Sequence, residues 1–141
     1  MLILLLVSPV AVTGENWVRY GEHDDGSVLS YDEDSIANRT RHIKQVWFRR
    51  DVSFSSREML LQRMKDQGFP AEGYDKLSYH VVLFVFNCKE NKYKALATAD
   101  FDTDGKELFR NNSIEQPDWN DVHPNNPMMY KLAEIVCEPS Q

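Results

Sequence analysis

The sequence predicts an α+β domain, a sheet of about six strands with a C-terminal helix on one face and a second helix inserted near residues 55–67. Three observations carry that expectation. The run from Leu77 to Cys88 is apolar on both faces over Val81, Val82, Leu83, Phe84, Val85 and Phe86, as a central strand covered on each side would be. Near the end of the chain, Met129, Leu132, Ala133 and Val136 recur at helical spacing. Cys88 closes that strand and Cys137 closes that helix, so a bond between them would staple the helix to the sheet.

The remaining elements follow in chain order. Asn16 to Tyr20 reads as a first strand around Trp17, Val18 and Tyr20. His23-Asp24-Asp25-Gly26 is a turn signal, and Ser27 to Tyr31 resumes an extended pattern, which makes a hairpin. Asp32 to Ile36 suits one helical or 3-10 turn, and Asn38 to Arg41 is polar. His42 to Phe54 is rich in β-branched and aromatic residues, with Val46 and Phe48 on one face and Ile43 and Trp47 on the other. Ser55 or Ser56 can cap the inserted helix, whose Leu60 or Leu61 and Met64 could face the core. Gly68 ends it, Pro70 prevents resumption, and Ala71 to Lys76 reads as loop. After a turn at Lys89 to Asn91, Tyr93, Ala95, Ala97, Ala99 and Phe101 alternate on one face. Asp102-Thr103-Asp104-Gly105 turns the chain into a strand from Lys106 to Phe109. A polar loop with Trp119 leads to the last helix, where Asn126 suits the N-cap and Pro127 the first helical position.

The chain has 141 residues, 42% of them apolar, which suits one domain with a real core. Its formal charge of -6 argues against nucleic acid as a partner, because phosphate recognition wants a basic face. Leu2 to Val12 is an uncharged apolar run that resembles the core of a secretory signal, although the usual positive start is missing. Residues 1–14 are therefore expected to be a signal segment and residues 15–141 a single domain. No later stretch is long and apolar enough to span a membrane. Two cysteines fit one disulfide in an oxidising compartment, the alternative being two buried thiols. If Cys88 is bonded, the period of two puts Val82, Phe84 and Phe86 on the helix side, with the Ala95, Ala97 and Ala99 stripe as the helix's bed.

Several features resemble one family. Trp17 lies in the first strand, Ser30-Tyr31-Asp32 precedes Ser35-Ile36, and Val46-Trp47 lies in the long strand. Phe86-Asn87-Cys88, Lys92-Tyr93-Lys94, Asp102 with Gly105, Trp119, Pro124 and Val136-Cys137 follow in order. Together these resemble the surface-adhesin protein E-like domain of bacterial exported proteins, over roughly residues 16–137. The resemblance implies an antiparallel sheet with the C-terminal helix held on it by a disulfide between Cys88 and Cys137. It also implies an exported, non-enzymatic protein, in some members a surface adhesin for host proteins. The chain departs from the pattern at Ser55 to Lys76, which looks like an inserted helix, and at Pro124-Asn125-Asn126-Pro127, which keeps capping chemistry.

No catalytic set is legible. Asp100-Phe101-Asp102-Thr103-Asp104-Gly105 matches the start of an EF-hand calcium loop, so Asp100, Asp102 and Asp104 are the calcium candidates. The twelfth position is Asn111, which cannot supply a bidentate carboxylate, and an Asp-Gly hairpin turn explains the loop better. His23, His42, His80 and His123 form no metal-ligand spacing. Arg39, Arg41, Lys44, Arg49 and Arg50 make a local basic cluster, a candidate face for an acidic partner or glycan.

The expected function is an exported binding module, periplasmic, cell-surface or secreted, that contacts a protein or other macromolecule through its sheet and loops. The alternative is a small-ligand or calcium-responsive envelope protein. No cofactor is expected, and an exposed sheet edge could pair with a second copy.

Overall fold

The computed structural model describes residues 16–115 and 117–138, so the expected signal segment at residues 1–14 lies outside the described residues. Each long strand pairs antiparallel with the next long strand in sequence, through a short connection or, between Asp51 and Leu77, across the inserted helix. β1 (Trp17–Glu22), β2 (Val28–Asp32), β3 (Ala37–Asn38), β4 (Ile43–Asp51), β5 (Leu77–Asn87), β6 (Lys92–Asp102), β7 (Glu107–Asn111) and β8 (Asn120–Asp121) form one antiparallel sheet. The long strands run in the order β1-β2-β4-β5-β6-β7, while the two-residue strands β3 and β8 are ribs on β4 and β6. The helices are α1 (Phe54–Asp66) and α2 (Pro127–Cys137).

α2 forms where the sequence places it. Asn126 is the N-cap, its side-chain oxygen accepting from the Met129 N–H at 3.5 Å, and Pro127 opens the first turn. Met129, Leu132, Ala133 and Val136 are the buried face. They pack on Leu29, Val46, Phe48, Phe84 and Phe86, with Val122 closing the same cluster. A bulge at Tyr20 in β1 lets its ring join this core, and its hydroxyl donates to the Met128 carbonyl at 3.1 Å. Cys88 and Cys137 are bonded, with Cα atoms 5.5 Å apart.

The expected side for Val82, Phe84 and Phe86 is the observed one, since all three belong to the α2-facing cluster. The alanine stripe is different. Leu83 pairs with Ala97 and Phe84 with Ala95, so Leu96 is an extra residue in β6. This bulge shifts the strand's parity. Ala95 and Tyr93 face α2, whereas Ala97 and Ala99 lie opposite Leu83 and Val81 on the other face. The helix's bed is therefore Tyr93 and Ala95 with the β5 aromatics, because strict alternation fails where Leu96 gives its carbonyl to the Ile114 N–H at 3.0 Å.

α1 is the inserted helix. Its N-cap is Ser53, two residues before Ser55 and three before Ser56, and the Ser53 hydroxyl accepts from the Ser56 N–H at 3.1 Å. α1 crosses the end of the sheet: Ser55 donates to the Asp25 carbonyl at 3.3 Å and Arg57 to the Leu77 carbonyl at 3.1 Å. No residue of α1 is fully buried, and Leu60, Leu61 and Met64 form its half-buried side. Gly73 returns the chain to the sheet with φ at 85°, and a Cβ there would meet Leu108 Cδ2 at 2.7 Å. Only glycine meets both demands.

The disulfide closes a loop of 49 residues, and the chain-entropy account gives about 4 kcal/mol for a loop of that size. Urea unfolding of the Cys88→Ser/Cys137→Ser double variant is expected to show a loss of about 2–4 kcal/mol. A variant as stable as the parent would mean that packing alone holds α2.

Candidate functional site

α2 covers one face of the sheet and α1 its end. The opposite face is closed by side chains of the strands themselves. Directly opposed residues of an antiparallel pair point to the same side, so the register gives this face's composition. Across β1, β2, β4, β5, β6 and β7, one row reads Arg19, Ser30, Arg49, Val81, Ala99 and Arg110. The neighbouring row reads Glu22, Val28, Asp51, Tyr79, Phe101 and Glu107. One row thus carries the cations and the other the carboxylates.

Each cation meets a carboxylate on its own strand. Arg19 reaches Glu22 at 3.3 Å, Arg110 contacts Glu107, and Arg49 grips both oxygens of Asp51, with Nη2 at 2.8 Å and Nε at 3.1 Å. The Arg19–Glu22 pair is largely exposed and contributes little to stability. The central pair has a second function. The fork of Asp51 holds the guanidinium in one plane, and that plane lies 3.8 Å from the centre of the Tyr79 ring. Phe101 stacks on the Tyr79 ring, with centroids 5.0 Å apart and planes 16° from parallel, and Trp17 lies 5.9 Å from Arg49 on another side. Four strands thereby supply one ridge of Trp17, Arg49, Tyr79 and Phe101.

Beneath it Val81 and Ala99 are almost wholly buried, so the ridge stands on a packed floor. Trp47 and Leu83 extend the apolar surface along the strands, and Lys94 lies 4.3 Å over the Trp119 ring beyond them. A rigid face of this kind can stack, donate and accept hydrogen bonds. It holds no histidine and no nucleophile paired with a base.

The residues singled out in the sequence are distributed differently. Cys88 and Cys137 are scaffold, spent on each other. The five basic residues do not share a face: Arg49 lies on the ridge, while Lys44 and Arg50 fall on the α2 side. Arg39 donates to Gln45 Oε1 at 2.8 Å, Arg41 is exposed, and Arg50 pairs with Asp25 at 2.5 Å. Asp100, Asp102 and Asp104 diverge. Asp102 folds back to accept the N–H groups of Asp104 and Lys106 at 2.9 and 2.8 Å, and Asp104 is exposed. Asp100 takes the Tyr74 hydroxyl at 2.7 Å and lies 2.5 Å from His80 Nδ1. Among the described residues no group of three or more His, Cys, Asp or Glu is placed to hold a metal ion.

The Tyr74–Asp100–His80 chain lies on the α2 side of the sheet and ties the end of the α1 insertion to β6. Burial alone would raise the pKa of Asp100, but the bonds from His80 and Tyr74 outweigh it and hold the carboxyl below its ordinary value. Burial and the neighbouring Asp100 together push the Tyr74 phenol up. Asp25 is also lowered: burial opposes ionisation, and the Ser27 N–H and Arg50 overcome it.

Trp17, Asp51, Tyr79 and Phe101 were not among the expected site residues. Arg49 with Asp51 two positions on is a visible signal of an in-strand pair. The partnership of Tyr79 with Phe101 depends on the register.

The family model described as surface-adhesin protein E matches residues 17–138. Two solved structures of Haemophilus influenzae protein E have the same fold. Crystal form II has a TM-score of 0.52 at 13% identity, with 86% of this chain and 87% of that chain covered. The selenomethionine form has a TM-score of 0.53 at 12% identity, with 88% and 87% covered. Among curated proteins none matches the sequence.

Depressed carboxyl pKa values stabilise the fold above the ordinary value of an aspartate and lose that contribution as pH falls through the folded value. Thermal melts should therefore fall steeply below about pH 4. Asp100→Asn, which cannot ionise, should melt lower near neutral pH and show a shallower acid decline. Parallel pH profiles for the two proteins would exclude this role of Asp100.

Proposed function

The chain belongs to the surface-adhesin protein E family, and from that premise we propose that it is an exported, non-enzymatic module that binds another macromolecule through the sheet face opposite α2. The observation that carries this reading is the ridge of Trp17, Arg49, Tyr79 and Phe101, already rigid and half exposed before any partner arrives. A ligand-binding surface gains from such order, because little side-chain freedom is then lost on binding. Aromatic residues and arginine are also the side chains that concentrate binding energy at interfaces.

The scale of the face favours a macromolecule. Six strands at a spacing of about 4.8 Å make it roughly 24 Å across, which is the dimension of a protein contact patch. Export is supported by the disulfide, since such bonds persist in oxidising compartments. No helix among the described residues is long and apolar enough to cross a membrane.

The test is retention of partners from a mixture of extracellular proteins by the immobilised, oxidised chain. Arg49→Lys keeps the charge but loses the bidentate plane and its stacking, so it should weaken a micromolar interaction about tenfold. Tyr79→Ala should do at least as much, while Arg41→Ala should change nothing. Undiminished binding by folded Arg49→Lys and Tyr79→Ala would exclude this face, and no retained partner at micromolar concentration would overturn the binding role.

A further inference from the structure

A different part of the molecule carries a second surface. Two hollows lie along α2, one of about 480 Å³ at its N-terminal end and one of about 380 Å³ toward its C-terminal end. Lys131 lines both, so the two hollows adjoin at this residue and flank the helix as a two-part groove. Tyr20 and Leu29 form the floor of the first hollow, and the second has Tyr31, Ile36 and Ile135 within a more polar lining. Tyr20 is fixed by its bond to the Met128 carbonyl, so the floor does not depend on a ligand for its shape.

The rim is acidic. Asp24 borders the first hollow, and Glu33, Glu134 and Glu138 the second, while Glu22, which also lines the first hollow, is paired with Arg19. Against these four carboxylates stands the ammonium of Lys131, which makes no ion pair with a described residue, and His23. The placement is unfavourable for the helix by itself. Glu134 lies in the last turn and Glu138 at the C-cap, and both line the second hollow. They also lie at the C-terminal end of α2, where the helix dipole favours cations, yet the last turn carries no basic residue. At the other end, Asp24 opposes any anion drawn to the helix N-terminus.

We propose that this groove docks an extended polypeptide segment in which apolar side chains alternate with lysine or arginine. The apolar side chains would fill the two hollows, and the cations would pair with the carboxylates along the rim. An extended chain suits the length: α2 has 11 residues, so the groove runs about 16 Å, the span of about five residues in extended conformation. This surface is separate from the ridge on the opposite face and does not depend on it.

The probe is a short, capped peptide alternating Lys with Val, titrated into the oxidised full chain and followed by amide NMR. Shifts are expected at Ile36, Lys131 and Glu134. Glu134→Lys is expected to weaken the interaction about tenfold, and Lys131→Glu to strengthen it, since rim charges act through complementarity. Raising the salt should weaken binding to all of these proteins. Arg49→Lys should leave the affinity unchanged, which separates this groove from the sheet-face reading. Equal binding of the Glu/Val counterpart, shifts confined to residues outside the groove, or indifference to both Glu134→Lys and Lys131→Glu would overturn the proposal. Because Lys131→Glu is expected to bind more tightly, a loss caused by misfolding cannot pass for support.

Discussion

The attachment of α2 to β5 organises the rest of this protein. One covalent bond, Cys88 to Cys137, joins the end of the central strand to the end of the helix. Its direction decides which side of a two-faced strand becomes core. With Cys88 turned to α2, the period of two brings Val82, Phe84 and Phe86 to the same side, and the helix buries Met129, Leu132, Ala133 and Val136 upon them. Burial of four such side chains is the larger non-covalent contribution, and the bond removes disorder from the unfolded chain.

A sheet with one helix has one face left over. The protein closes that face without a second layer. Cations and carboxylates are arranged in adjacent rows, paired within strands, and the aromatic and guanidinium planes stack across strands. This keeps Val81 and Val85 dry beneath long side chains. The same solution produces an ordered surface of Trp17, Arg49, Tyr79 and Phe101. Closure of the face and its availability to a partner thus have one physical origin.

The α1 insertion follows different rules. It buries no residue fully, and Phe54, Met59 and Phe69 are 70%, 62% and 58% exposed. Its attachment relies on polar contacts at its two ends, from Ser53 and Ser55 near the first hairpin and from Tyr74 to Asp100 near β6. The Nε of Arg57 is buried without a partner, a sign of packing less complete than that under α2. Helix and sheet therefore meet in two regimes, one apolar and bonded, the other polar and terminal.

The sequence by itself determined the elements whose signals are local. The apolar run of β5, the Asn126-Pro127 cap and the helical spacing of α2 all depend on near neighbours, while the two cysteines left a bond between Cys88 and Cys137 or two thiols open until the structure joined them. What only the tertiary structure decided is parity beyond a bulge. The extra residue at Leu96 turns Ala97 and Ala99 away from α2, and the bulges near Tyr20 and between Asp100 and Phe101 set which charges become neighbours. Past the bulge at Leu96, Asp100 comes to the side of His80 and serves a hydrogen-bond chain rather than a cation loop, whereas Lys44, Arg49 and Arg50 of β4 divide between two faces by alternation alone. The ridge of the candidate site lies beyond local reading, because its four side chains come from four strands and meet only in one register. Period-two alternation describes a strand until a bulge occurs, and bulges arise from contacts with partner strands and loops that local sequence does not specify.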